Sequence, residues 1–238
     1  MMKWSIRTLL LCLVFTLTAV GLAQENDIYT YKEGDLSGIG KWYMDREIAA
    51  VMSYMGMGWL ERTSREQEEH TSRLLANMNL QPGDIVADIG AGSGYHAVKI
   101  AEKVPGGKVY AVDIQPEMLA AIEEKLKHSG NGNITTVLGG RQTVNLAPNS
   151  VDKVLMVDVY HEFEFPLEMM TSIRKALKPD GSVYLIEYRG EDSSIPIKRL
   201  HKMTEAQAVK EMRAAGFELV KNRKNLPIQH CMIFKKME

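Results

Sequence analysis

The stretch Asp88-Ile89-Gly90-Ala91-Gly92-Ser93-Gly94 decides how this chain is read. It closes the apolar run Asp84 to Ile89, which has the length and composition of a short buried strand. Three glycines at alternate positions permit a tight turn and let backbone approach a ligand closely. Beyond them, Ala97, Ile100, Ala101 and Val104 recur at i, i+3, i+4 and i+7 and predict a helix over 94–104. Its first N–H groups have no partners within the helix and face the loop. A strand, a glycine turn and a helix in that order make a ligand-binding unit. The spacing is not the dinucleotide one, since G-x-G-x-x-G needs glycine at 95 and Tyr95 stands there. An acid at the head of the loop suits a cationic ligand group better than a pyrophosphate.

Downstream, strands and helices alternate. Lys108 to Asp113 is a second strand, and Pro116 opens a helix at a position proline tolerates, lined by Met118, Leu119, Ile122 and Leu126. Ile134 to Leu138 and Val151 to Asp158 are the third and fourth strands, followed by a helix over 166–177. Pro179-Asp180-Gly181 reads as a turn before a fifth strand, Ser182 to Tyr188. Thr204 with Gln207 caps a last helix that stops at Gly216, and Phe217 to Val220 and His230 to Phe234 read as a closing strand pair. Strands apolar along their length, alternating with helices, imply a mostly parallel sheet covered on both faces. Ligands bind such sheets outside the carboxyl ends of the strands. The second strand ends in Asp113, and an acid there can accept from both hydroxyls of a ribose.

Upstream, residues 24–39 read as an extended lead-in, and Met44, Ile48, Met52 and Met55 fall on one face of a helix expected over 41–58. That helix is either a lid over the ligand or simple packing. Thr63 and Glu66 form a possible capping box for the next helix, with Leu74, Leu75 and Met78 on its apolar face. The first residues carry their own signal. Lys3 and Arg7 precede an apolar run from Leu9 to Val20, and Gly21-Leu22-Ala23 offers small residues before Gln24. This pattern predicts a cleaved leader over 1–23, an extension over 24–62 and a main domain over 63–238, with the body exported, periplasmic or secreted. An uncleaved N-terminal anchor is the alternative; with cleavage no stable membrane span is expected.

Composition excludes little but narrows the rest. Hydrophobic residues make up 45% and charged residues 25%, ordinary for a globular protein, and a net charge of −1 provides no basic surface for nucleic acid. The 2 cysteines, Cys12 and Cys231, cannot build a disulfide framework.

Four blocks stand in a telling order: Val86 to Tyr95, Val109 to Asp113, Val151 to Asp158 and Leu177-Lys-Pro-Asp-Gly-Ser-Val-Tyr184. Together they resemble the class I S-adenosylmethionine-dependent methyltransferases over roughly residues 65–234. The resemblance implies a three-layer α/β/α Rossmann-like fold with a seven-stranded, mostly parallel sheet whose last strand is antiparallel. It implies S-adenosylmethionine as cofactor. Asp88 and the loop Gly90, Ala91, Gly92, Ser93 and Gly94 would hold the methionine end, Asp113 the ribose and Ile114 one face of the adenine, with Asp158 also at the cofactor. Where the family often has an acid after the third strand, this chain has Gly139-Gly-Arg-Gln-Thr143, in which the Gln142 carbonyl oxygen can still accept from the adenine amino group.

The fourth strand runs into Tyr160, His161 and Glu162, placed by the fold near the transferred methyl. His161 has the unperturbed pKa of a general base, useful if the acceptor must lose a proton; equally, it could pack or cap a helix. Glu187 and Tyr188, after the fifth strand, could line an acceptor pocket or a solvated rim. His70, His96, His128, His201 and His230 show no metal-ligand spacing, so no metal is expected. The reading is a metal-independent in-line methyl transfer to a small-molecule acceptor. A protein methyltransferase of the isoaspartyl-repair kind and a non-catalytic binder of the cofactor are the alternatives.

Overall fold

The computed structural model describes residues 28–129 and 132–238, so the expected leader over 1–23, with Cys12, lies outside the described residues. The amino end departs from the sequence reading. In place of a helix over 41–58 stands a small antiparallel sheet of β1 (Tyr29–Tyr31), β2 (Gly38–Tyr43) and β3 (Arg46–Ala49). Aromatic residues on β1 and β2 suit a pleated surface. The chain reverses at Met44 and Asp45, both with positive φ (49° and 73°), which is the backbone of a tight two-residue hairpin turn. That turn costs energy without glycine, and the last long helix offsets it: Lys210 bonds the Met44 carbonyl and the Asp45 carboxylate, and Gln207 bonds the same carbonyl.

An irregular stretch with one 3₁₀ turn leads to α1 (Met57–Leu60), then α2 (Arg65–Glu69) and α3 (Thr71–Asn77). The expected capping box at Thr63 and Glu66 does not form. Ser64 is the cap residue without a side-chain bond, and Glu66 instead accepts from Ser72 across the left-handed His70 (φ 53°) that separates α2 from α3. Leu74, Leu75 and Met78 are buried as expected.

The rest of the chain follows its reading closely. The elements are β4 (Ile85–Ile89), α4 (Tyr95–Ala101), β5 (Lys108–Asp113), α5 (Pro116–Ser129), β6 (Ile134–Leu138), β7 (Val151–Val157), α6 (Pro166–Ala176), β8 (Leu177–Tyr188), α7 (Glu205–Ala214), β9 (Phe217–Asn222) and β10 (Gln229–Lys236). The seven-stranded sheet has the order β6-β5-β4-β7-β8-β10-β9. Its pairs are parallel from β6 to β8, and β10 runs antiparallel between β8 and β9. One boundary moves: Pro179 to Gly181 is an irregularity inside β8, because Leu177 already pairs with Val151 before the register shifts. Thr204 caps α7 by accepting from the Gln207 N–H, as the sequence predicts. Two apolar clusters pack on the sheet, one around α6 and α7 and one around α3, α4 and α5. Cys231 sits on β10, fully buried against Asn77. Among the described residues no helix is long and apolar enough to cross a membrane.

The small sheet is fastened to the large one by buried charge. Arg46 on β3 forms two bonds to Glu211 on α7, at 2.7 and 2.8 Å, and Glu211 is wholly buried. Tyr160 and Gln207 also donate to that carboxylate, at 3.0 and 2.7 Å. Lys41 on β2 points its ammonium at the rings of Tyr29 and Phe165, 4.0 and 3.3 Å from their centroids. Breaking the ion pair on one side strands a buried carboxylate. Arg46→Leu is therefore expected to lose about 3–5 kcal/mol of stability in urea unfolding, and Arg46→Leu with Glu211→Leu to regain most of it.

Candidate functional site

The carboxyl ends of β4, β5 and β7 open into one cleft of about 630 Å³, roofed on one side by residues 51–60 and on another by residues 196–201. That volume is ordinary for a small-molecule site. The glycine loop forms its floor. Gly90, Gly92 and Gly94 all have positive φ (70°, 54° and 80°), and a Cβ on Gly90 would lie 2.4 Å from Val159. Only glycine meets both demands there. Gly90 and Gly92 reach the cleft wall, whereas Ala91, Ser93 and Gly94 lie behind it. Ser93 turns outward and donates to Glu61, which also pairs with Lys125 at 2.5 Å.

Asp113 stands at the rim as expected, and its two oxygens are fixed by the N–H groups of Gly92 and Gln115 at 2.8 and 2.9 Å. Each oxygen keeps a second lone pair for a ligand hydroxyl. Ile114 beside it is 43% exposed, an apolar face open to the cleft. Asp158 lines the cleft in a left-handed conformation (φ 51°), holds Gln229 with one oxygen, and leaves the other without a partner. Burial, with Glu69 and Glu187 nearby, pushes its pKa well above the usual range. Asp88 is the counterpart beneath the loop: it is buried, does not reach the wall, and one oxygen is also unpartnered. Burial raises its pKa to about 7, against the opposing pull of Arg65.

Gln142 and Tyr160 also lie off the cleft wall. Gln142 is exposed and outside the cleft, because the loop turns its side chain to solvent while Gly139, Gly140, Arg141 and Thr143 face inward. Tyr160 is fully buried with its hydroxyl on Glu211, so it supports the site from behind.

At the other end, His161 is gripped by Glu187, which accepts from the ring at 2.6 Å and the backbone N–H at 3.3 Å. Glu187 is wholly buried, so it acts on the cleft only through His161, whereas Tyr188 lines the cleft and donates to Glu69 at 3.0 Å. The other ring nitrogen of His161 faces His201 Nδ1 at 3.1 Å, with Glu162 Oε1 beside both. Burial works to lower the pKa of His161, but the carboxylates of Glu187 and Glu162 outweigh it and the net shift is upward. Burial raises Glu162 to about 7; burial and the neighbouring His161 lower His201 to about 4.

Sequence reasoning missed three contributors. Arg65 is a buried cation in the cleft wall, spending bonds on Glu69 (2.8 Å) and the Leu60 carbonyl (2.9 Å). Its signal in the sequence is the cluster Arg62, Arg65, Glu66, Glu68 and Glu69, whose i, i+4 spacing is equally that of a solvated helix face. Gln115 clasps the roof by donating to the Met52 carbonyl and accepting from the Tyr54 N–H. His201 arrives on a 3₁₀ turn after β8, 40 residues beyond its partner. Spacing alone gives no hint of either contact.

Residues 86–181 match the model of a methyltransferase domain. Among curated relatives, a protein-L-isoaspartate O-methyltransferase of Aeropyrum pernix is 44% identical over 69 residues, covering 29% of this chain and 26% of the relative. A demethylmenaquinone methyltransferase of Geobacillus kaustophilus is 28% identical over 115 residues, covering 48% and 49%. The chain thus spans from about a quarter to about half the length of these two relatives. Among solved structures, a SAM-dependent methyltransferase from Aquifex aeolicus superposes with a TM-score of 0.73 at 22% identity, covering 77% of this chain and 98% of that one. The likeness establishes the three-layer α/β/α fold.

Asp88 has a pH signature. An acid whose folded pKa is raised binds its proton more tightly in the folded state, so the protein loses stability as pH rises from about 4 to about 7. Asp88→Asn removes that loss. The variant's stability relative to the parent should climb with pH across this window, by up to about 1.4 kcal/mol per pH unit, in urea melts at fixed ionic strength.

Proposed function

We propose that this protein is an S-adenosylmethionine-dependent methyltransferase acting on a small acceptor. The single observation that carries the reading is the cleft at the ends of β4, β5 and β7, whose glycine floor is ringed by carboxylates with unfilled lone pairs. S-adenosylmethionine has a sulfonium, an ammonium, a ribose diol, an adenine and one carboxylate. Asp113 suits the diol and Ile114 an adenine face. Asp158 suits the ammonium at the wall, with the charge of Asp88 adding to the field beneath the loop. Arg65 matches the carboxylate, as it keeps donors beyond those used on Glu69 and Leu60. The cofactor supplies an electrophilic methyl on sulfur. The residues of the chain hold nucleophile and methyl in line and keep bulk water away.

A small acceptor is favoured over a protein chain because the cleft is concave and largely apolar. Met52, Phe163, Met169 and Ile197 are among its lining residues, with His161 and Glu162 among its polar groups. That mixture suits a flat or apolar molecule with one polar group to be methylated.

Calorimetry with S-adenosylmethionine tests the cofactor. Asp113→Ala should weaken binding by about 10- to 150-fold, from about 1.5–3 kcal/mol for bonds to a charged group. Tight NAD binding with no S-adenosylmethionine binding overturns the reading. A tritiated-methyl assay on fractionated cell extract then separates acceptor classes: label in the low-molecular-weight fraction is expected, and label only on protein would favour the isoaspartyl-type alternative.

A further inference from the structure

The geometry points to a metal site: His161, Glu162 and His201 bind one divalent first-row transition ion, of the zinc, iron(II) or manganese(II) class, at the acceptor end of the cleft. His161 Nε2, Glu162 Oε1 and His201 Nδ1 form a triangle with sides of 3.1, 3.6 and 3.9 Å. An ion with bonds of about 2.0–2.1 Å in tetrahedral geometry holds its ligand atoms about 3.3 Å apart. The triangle already has that size.

The groups behind the triangle are those a metal site needs. A ligating histidine normally donates its other N–H to a carboxylate, which fixes the tautomer and makes the free nitrogen a better ligand. Glu187 lies 2.6 Å from His161 Nδ1 and is wholly buried, so the Nε2 lone pair is directed at the triangle. Arg46 donates to the His161 carbonyl at 3.1 Å, and the Met52 N–H donates to Glu162 Oε1 at 3.1 Å. Each ligand residue is therefore held by a second contact or by its turn. Two imidazoles and one carboxylate suit borderline transition ions; calcium and magnesium prefer all-oxygen shells.

All three residues line the cleft, so the remaining coordination positions face the ligand space. That is the arrangement of a catalytic ion, in contrast to a closed structural one. Under the methyl-transfer reading, on which only this last consequence rests, an acceptor hydroxyl would occupy an open position. Its O–H bond breaks and the proton leaves to solvent. The oxygen pair then forms the O–CH₃ bond as the CH₃–S⁺ bond breaks, and its electrons return to sulfur as a neutral thioether.

With no ion bound, the two rings satisfy each other in the tautomer that keeps the His161 proton on Nδ1 toward Glu187, where His201 Nδ1–H donates to His161 Nε2. Metal binding must displace that proton, and the two states are separable by experiment. The purified protein is stripped with a chelator and titrated with zinc sulfate by calorimetry, and with cobalt chloride by visible absorption, which reports ligand type and geometry. The expected result is one ion per chain and a cobalt spectrum of nitrogen and oxygen ligation. His201→Asn and Glu162→Gln should lose stoichiometric binding. Glu187→Gln, which touches no metal, should weaken it by about 10- to 100-fold. Thermal melts confirm that each variant is folded; His201 sits at the rim with a side chain 22% exposed, so its variant is the safest. Failure of the parent protein to bind either ion, or unchanged binding by folded His201→Asn, overturns the site. Calorimetry of S-adenosylmethionine on the metal-free protein reads the cofactor independently, so failure there leaves the metal result standing.

Discussion

The buried carboxylate of Glu211 is the point on which this architecture turns. A charge taken out of water is costly unless its lone pairs are filled. Here they are filled from three directions: Arg46 from the small sheet, Tyr160 from the turn after β7, and Gln207 from its own helix. The same Arg46 continues to the carbonyl of His161. One ion pair therefore decides where the small sheet docks and at what height the His161 turn sits above the sheet, while Gln207 joins the same carboxylate to the hairpin turn at Met44. An apolar pair could fill the space, but it would impose none of these directions.

The electrostatics of the cleft follow from its position. Parallel strands end together, so the acids at their ends, Asp88, Asp113 and Asp158, are gathered without any contact between them in sequence. Desolvation raises the pKa of all three. Such a group of carboxylates is waiting for cationic and donor groups, and Arg65 is the buried cation in the wall. A ligand carrying positive charge, hydroxyls and one carboxylate answers both features, whereas a pyrophosphate would answer the cation alone and be repelled by the carboxylates.

Much of the fold was legible because its signals are local and periodic. The strand, glycine turn and helix at 84–104 and the Asp113 strand end were readable residue by residue, and the parallel sheet followed from apolar strands alternating with helices. The amino end was misread for a physical reason. Met44, Ile48, Met52 and Met55 have helical spacing by coincidence, while the decisive turn uses two left-handed residues that are not glycine. Nothing in a methionine or an aspartate announces positive φ. The candidate site was half legible. Asp113, Ile114, Asp158, His161, Glu162 and Tyr188 reach the cleft, but Asp88, Gln142, Tyr160 and Glu187 do not, since the direction of a side chain at a strand end or in a loop is set by packing. His201 was invisible because the contact that makes it interesting spans 40 residues.

Cys231 carries a consequence of a different kind. It is the free cysteine among the described residues, wholly buried on β10, and burial pushes its thiol pKa up to about 11. A thiol without a thiolate and without access to solvent is a poor target for oxidants and for disulfide exchange. The described domain has no disulfide to lose under reducing conditions and no reactive thiol to shield under oxidising ones. Its folding is thereby uncoupled from the redox poise of its surroundings, and the same packed sheet can form on either side of a redox boundary.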